Sequence, residues 1–262
     1  MLSQLRGLRR LGLAIASLSL SGTVAAQAEA DQLDSLLAAF RAEEYFWRQF
    51  QIGEEMVELG DLSVLSELEP WLEQEDRHVR GVVAFIFAKF GDPRGFSTIM
   101  EILDDYSAER LVEWQGGSLI SSLDQSPEEA MERYLRSPAA LRAQITSDRY
   151  YAVHLLGELR DARAVEILVP LLDDKSIDYN VAWALGEIGD GRAIPELIDA
   201  LNNPDAHVRA TAIHALAKMH ATEARPYIQA LLSDTAVPHA GDQIPVRETA
   251  RAALESLALE VE

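Results

Sequence analysis

The sequence predicts an all-α protein: a right-handed α-solenoid of stacked helix pairs, an α-α superhelix. Three observations predict it. Residues 148–174, 177–203 and 208–234 nearly repeat one another; Gly157, Gly186 and Ala217 fall 29 and then 31 residues apart, and Leu172, Leu201 and Leu232 keep the same two spacings. Within a row the apolar residues recur three and four positions apart, which is one face of a helix. No stretch shows the alternation of a strand. A fixed period in this range makes each row one supersecondary unit. Neither helix of a row buries its stripe alone, so the rows must stack.

The middle row shows the unit most plainly. Ile177, Val181, Ala184, Leu185 and Ile188 form one apolar stripe. Gly186 and Gly189 fall where two helices approach closely or end, and Gly189-Asp190-Gly191 is a turn signal. Ala193, Ile194, Leu197, Ile198 and Leu201 mark a second helix, with Pro195 near its start, where a missing N–H costs little. Asn202-Asn203-Pro204-Asp205 ends it. The runs ALGEIGD (residues 184–190) and AIPELIDAL (residues 193–201), with Val208-Arg209 opening the next row, resemble the HEAT-like repeat named after phycobilisome lyases. Its units are shorter than the ~40–47 residues of ordinary HEAT repeats. The resemblance covers the helical pairs across most of the chain after its leader. It implies the stacked fold and, for most such proteins, a binding scaffold; likeness of fold carries no activity by itself.

In chain order, residues 1–28 read as a secretory signal peptide. Arg6, Arg9 and Arg10 give a basic start, residues 11–20 a short apolar run, and Ala26-Gln27-Ala28 a small-x-small cleavage site. That run is too short to span a bilayer, which takes about 20 residues. Sec and twin-arginine export both stay open. The expected location is outside the cytoplasm, in a bacterial periplasm. Residues 29–107 read as an N-terminal cap and two irregular repeats: helices over 33–41 and 43–59, second helices over 62–72 and 96–103, and Gly60-Asp61 and Gly91-Asp92 set 31 residues apart. Residues 108–147 break the period and read as an insertion, either a lid or a spacer, with a helical patch over 127–135 that Ser137-Pro138 ends. Residues 148–236 hold three regular repeats, and residues 237–262 a loop and a C-terminal capping helix.

Charge narrows the partners. Against 23 Lys and Arg stand 43 Asp and Glu, a net −20, and the leader takes away three arginines and no acid. Such a chain repels nucleic-acid phosphates and anionic membrane surfaces. Nucleic acid is not expected as a partner, nor is membrane insertion after signal cleavage. There is no cysteine, so an exported chain is held by its own core, for which 48% hydrophobic residues suffice. Asp76 and Asp205 stand where N-caps stand. Arg80, Arg149, Arg209 and Arg247 are placed to pair with acids of a neighbouring row, and Arg94, Arg163 and Arg192 to form a second ladder after the mid-row turns.

Signatures of catalysis are missing: no Gly-rich phosphate loop, no G-x-S-x-G and no His-Glu dipeptide. The last absence matters because the deoxyhypusine hydroxylases, which the fold also resembles, bind a di-iron centre through such pairs. The phycobilin lyases are cytoplasmic, which the leader argues against. No catalytic residue, metal or cofactor is expected. His154 and His214 lie two rows apart, roughly 20 Å at helix spacings of ~8–10 Å, whereas ligands to one ion sit at about 2 Å. His239 with Asp242 reads as an ordinary polar loop.

The candidate binding residues form a column. Aligning first helices on Ala88, Gly157, Gly186 and Ala217 sets Phe85, His154, Trp183 and His214 three positions earlier, and Gly81, Tyr150, Tyr179 and Ala210 seven earlier. Those positions are four apart, on one helix face and off the main stripe, so the face is expected to be accessible and to line the concave side. Tyr150, His154, Tyr179, Trp183, His214 and Phe85 are the expected partner-binding residues, since aromatic anchors dominate binding hot spots. The plain structural alternative is that Tyr179 and Trp183 fill the core between repeats. The expected function is an exported scaffold that binds a protein or peptide through this face. The alternative is a small-ligand-binding or lyase-like enzyme using the same groove, with His154 as acid or base.

Overall fold

The computed structural model describes residues 30–104, 138–239 and 243–259, and the regular elements among them are helical, with no strand. The chain is an all-α solenoid of helix pairs. It divides into two compact units, Met1–Gly95 and Phe96–Glu262. The stretch read as a signal peptide (residues 1–28) and the patch over 127–135 lie outside the described residues. No described helix is long and apolar enough to cross a membrane.

The first unit holds α1 (residues 30–42), α2 (Phe46–Leu59), α3 (Ser63–Leu68) and α4 (Arg77–Lys89); α5 (Pro93–Asp104) starts at its end and runs on into the second. The helix expected from residue 43 starts at Phe46. The Glu43 carboxylate accepts the N–H groups of Glu44 and Tyr45 at 3.0 and 3.1 Å, which turns the chain ahead of it. Asp76 caps α4, accepting from the N–H groups of His78 and Val79 at 2.9 and 3.3 Å. Along α4 every residue from Gly81 to Phe87 is buried, a helix apolar all round that forms the centre of this unit.

The second unit holds α6 (Pro138–Leu159), α7 (Val165–Leu168), α8 (Asp178–Ile188), α9 (Ile194–Ala200), α10 (Ala206–Lys218), α11 (Arg225–Ala230) and α12 (Val246–Leu259). α6 starts inside the stretch read as an insertion. Pro138 ends whatever precedes it, but its fixed φ and missing N–H equally suit the first position of a helix. The long first helices α6, α8, α10 and α12 pack side by side in that order. The short second helices α7, α9 and α11, extended by 3-10 turns, form the other layer. Between the layers lie Leu156, Leu168, Val181, Leu185, Leu197, Ile213 and Leu216, all with essentially no exposure. A Cβ added at Gly186 would stand 2.7 Å from the Ala215 side chain and 2.8 Å from its Cα, so glycine is what lets α8 and α10 meet.

The row-start arginines correct one expectation. Arg149 pairs with Asp174 at 2.6 Å and Arg209 with Asp234 at 2.7 Å, both at the end of their own row. Arg80 reaches the Gln74 carbonyl and Arg247 its neighbour Glu248. The helix start and the end of the second helix lie together when a row folds back on itself, so the nearest acid is internal. The mid-row arginines do reach backward. Each first folds onto the Asp two residues earlier; then Arg94 binds Glu69 at 2.5 Å, Arg192 binds Glu166 at 2.9 Å, and Arg163 lies over the Phe96 ring at 4.2 Å.

Candidate functional site

The first-helix layer of the second unit carries the expected stripe, and the structure joins its rings in pairs. His154 on α6 and Trp183 on α8 stack with centroids 4.5 Å apart and planes 7° from parallel. Room for the indole comes from Gly157, where an added Cβ would lie 2.7 Å from Trp183 Cζ3. One turn nearer the helix starts, Tyr150 and Tyr179 meet at 6.2 Å, and Asn180 Nδ2 donates to the Tyr150 carbonyl at 2.7 Å, tying α8 to α6 there. Tyr150, His154, Tyr179 and Trp183 are all half-buried, so they neither vanish into the core nor stand free. His214 is exposed on α10.

Phe85 departs from the expectation. It lies in the first unit, 1% exposed, against Phe50 at 4.9 Å. Because α4 is apolar on every side, the position that is accessible on α6 and α8 is core there.

On α10 the −7 position of the column holds Ala210, which is buried. The ring that continues the stripe is His207, three residues earlier and so one turn further along nearly the same face. It stacks on Tyr179 at 4.3 Å and 22°. His239, from the segment after α11, meets His207 edge-on at 4.7 Å and Tyr179 at 6.3 Å, and its Nδ1 lies 3.5 Å from the Asp205 carboxylate. Asp242, its expected companion, lies outside the described residues. Among the described residues no three His, Cys, Asp or Glu side chains converge as metal ligands would.

The electrostatics favour uncharged rings. Burial pushes His154 down to about 4, against an opposing pull from the Glu187 carboxylate. Burial, and then His239 beside it, pushes His207 down as well. Burial raises both Tyr150 and Tyr179. At neutral pH His154 and the two tyrosines are therefore neutral. Glu187 accepts from Arg160 at 3.1 Å and also binds Lys218, so it fastens the C-terminal ends of α6, α8 and α10 together beside the rings.

Asp178 breaks the repeat. It occupies in row two the place that Arg149 and Arg209 hold in rows one and three, and Asn203 stands where they have Asp174 and Asp234. Asp178 is buried at 5% exposure, and burial raises its carboxyl above the usual range, with Asp205 and Asp174 adding to the effect.

Residues 174–258 match the family model for HEAT repeats, and residues 148–174 that for the PBS lyase HEAT-like repeat. A stretch of 99 residues is 36% identical to the phycocyanobilin lyase subunit alpha of a Picosynechococcus species, covering 34% of this chain and 37% of that protein. The chain thus aligns with little more than a third of the length of this curated relative. Both models fall on the rows legible in the sequence, so the helix pairs over residues 148–258 are similar to repeats of the HEAT type.

Proposed function

We propose that the chain is an exported scaffold that holds a protein or peptide partner on the first-helix face of its second unit, through Tyr150, His154, Tyr179, Trp183 and His214. The observation that carries this reading is the pair of ring contacts, His154–Trp183 and Tyr150–Tyr179, set half-buried on successive helices. Flat uncharged rings fixed by their neighbours lose little freedom when covered, which is what a hot spot needs. Phe85 has no part in it. The leader motif supports export. The test is a pull-down with the chain lacking residues 1–28 beside its Tyr179→Ala/Trp183→Ala form. A partner kept by the first and lost by the second supports the reading; equal recovery sinks it.

The similarity to a phycocyanobilin lyase subunit favours a second reading, a small-ligand or lyase-like site on the same face. Phycocyanobilin added to the same two proteins separates the two: an absorbance change that needs both rings supports a ligand site.

A further inference from the structure

His207 and His239 meet where three elements converge. His207, at the start of α10, lies flat on Tyr179 of α8, and His239, from the segment after α11, stands edge-on to both rings. With centroids 4.7 Å apart, two charged imidazoles would repel strongly there. The groups that face them come from all three sides. α8 brings Asp178 and the neutral phenol of Tyr179, the start of α10 brings Asp205, and the late segment brings His239 to His207.

The two imidazoles are not equivalent. The His239 side chain is 61% exposed and its Nδ1 lies 3.5 Å from the Asp205 carboxylate, so a proton on it meets water and an opposite charge. His207 is half-buried, and its Nδ1 is closed to solvent with no hydrogen-bond partner. An imidazolium donates from both nitrogens, so a charged His207 leaves one N–H with nothing to accept it. Burial and then His239 hold His207 below the ordinary histidine range, and the pull of Asp205 and Asp178 does not overcome them. The backbone beneath His239 is held apart from its ring. Ala236 donates its N–H to the Asp234 carboxylate at 2.9 Å and accepts that of Val246 at 3.0 Å, and Pro238 is buried. The ring can therefore leave while the segment stays seated.

We propose that His239 is an acid-released cover on the Tyr179–His207 end of the ring stripe, lying over the two rings while His207 is neutral and turning out into solvent when both imidazoles are charged. The sign follows from His207. It takes a proton less readily with His239 in place than with His239 away, so falling pH favours release. The cover is complete above about pH 6.5 and is lost as pH falls below it. Release uncovers Tyr179 and so regulates the face proposed for a partner. The contact itself is read with no partner present, which keeps its failure distinct from the failure of that reading.

The test is NMR of the full chain with 13C-labelled histidine. The Overhauser contact between the rings of His207 and His239 should be present at about pH 7.5 and lost by about pH 5, with helix ellipticity unchanged. His207→Phe keeps a ring on Tyr179 that takes no proton, so its contact with His239 should persist at the lower pH. His239→Asn removes the neighbouring charge and should move the titration midpoint of His207 upward by roughly half a pH unit. A parent contact that survives at the lower pH, or one lost there in His207→Phe as well, would overturn the cover. An unmoved His207 midpoint in His239→Asn would overturn it independently. So would loss of the contact in step with ellipticity, which would make the change one of the whole fold.

Discussion

At the scale of the residue, His154 shows what neighbours do to a common side chain. It is 14% exposed, flat against an indole and near two carboxylates, and burial wins over charge. Its folded pKa of about 4 lies below the ordinary 6.5, so the unfolded chain takes up the proton first. The stability this residue contributes is complete above pH 6.5 and is lost as pH falls to about 4. A gap of that size is worth roughly 3 kcal/mol once both states are protonated. Urea melts near pH 7 and near pH 4 should therefore differ less for His154→Gln than for the parent chain; an unchanged difference would place the acid sensitivity elsewhere. Tyr150, His154, Tyr179 and Trp183 were legible because a repeat fixes the register, and three and seven positions before the anchor share a face. His207 was not, because the stripe steps one turn toward the helix start where Ala210 leaves no ring. Its one signal is His207-Val208, the mirror of His78-Val79.

At the scale of the element, the turn after each first helix makes one demand on three different residues. Arg160, Gly189 and His220 hold the same place in successive rows, with φ of 54°, 72° and 56°. Only glycine accepts the left-handed conformation without a steric cost of roughly 1–2 kcal/mol. His220→Gly should raise stability by roughly 0.5–1 kcal/mol, less than the full steric gain because the unfolded chain also becomes freer. Chemical denaturation reads this directly, and a loss of stability would mean that the contacts of His220 outweigh its strain. The period exposed the turns and the helix pairs. The start of α6 was hidden because Pro138 suits the end of one segment and the start of the next equally well.

At the scale of the molecule, charge sets the conditions. A net −20 means self-repulsion, which the ion pairs at the mid-row turns offset only in part. Raising the salt from about 0.01 to about 0.15 M shortens the screening length from about 30 to about 8 Å. The thermal midpoint, followed by helix ellipticity, should rise. A fall would show that exposed ion pairs such as Arg192–Glu166 contribute more than the repulsion removes. The division into two units was not visible in the sequence, because Gly91-Asp92 keeps the period and Gly95 looks like one more small residue in it. In the structure Gly95 instead packs on backbone atoms of Ala84 and Ala88, which belong to the first unit.

The bridges Arg149–Asp174 and Arg209–Asp234 each close within a single row. A copy of either carries that bridge with it, while Arg160 and Lys218 take their acid, Glu187, from row two. Row two cannot be traded in this way. A copy of row one in its place would set an arginine where Asp178 now lies and a histidine where Trp183 now stacks on His154. Duplication and loss of rows, the ordinary route by which repeat proteins change length, therefore stops at the row that carries the centre of the ring stripe.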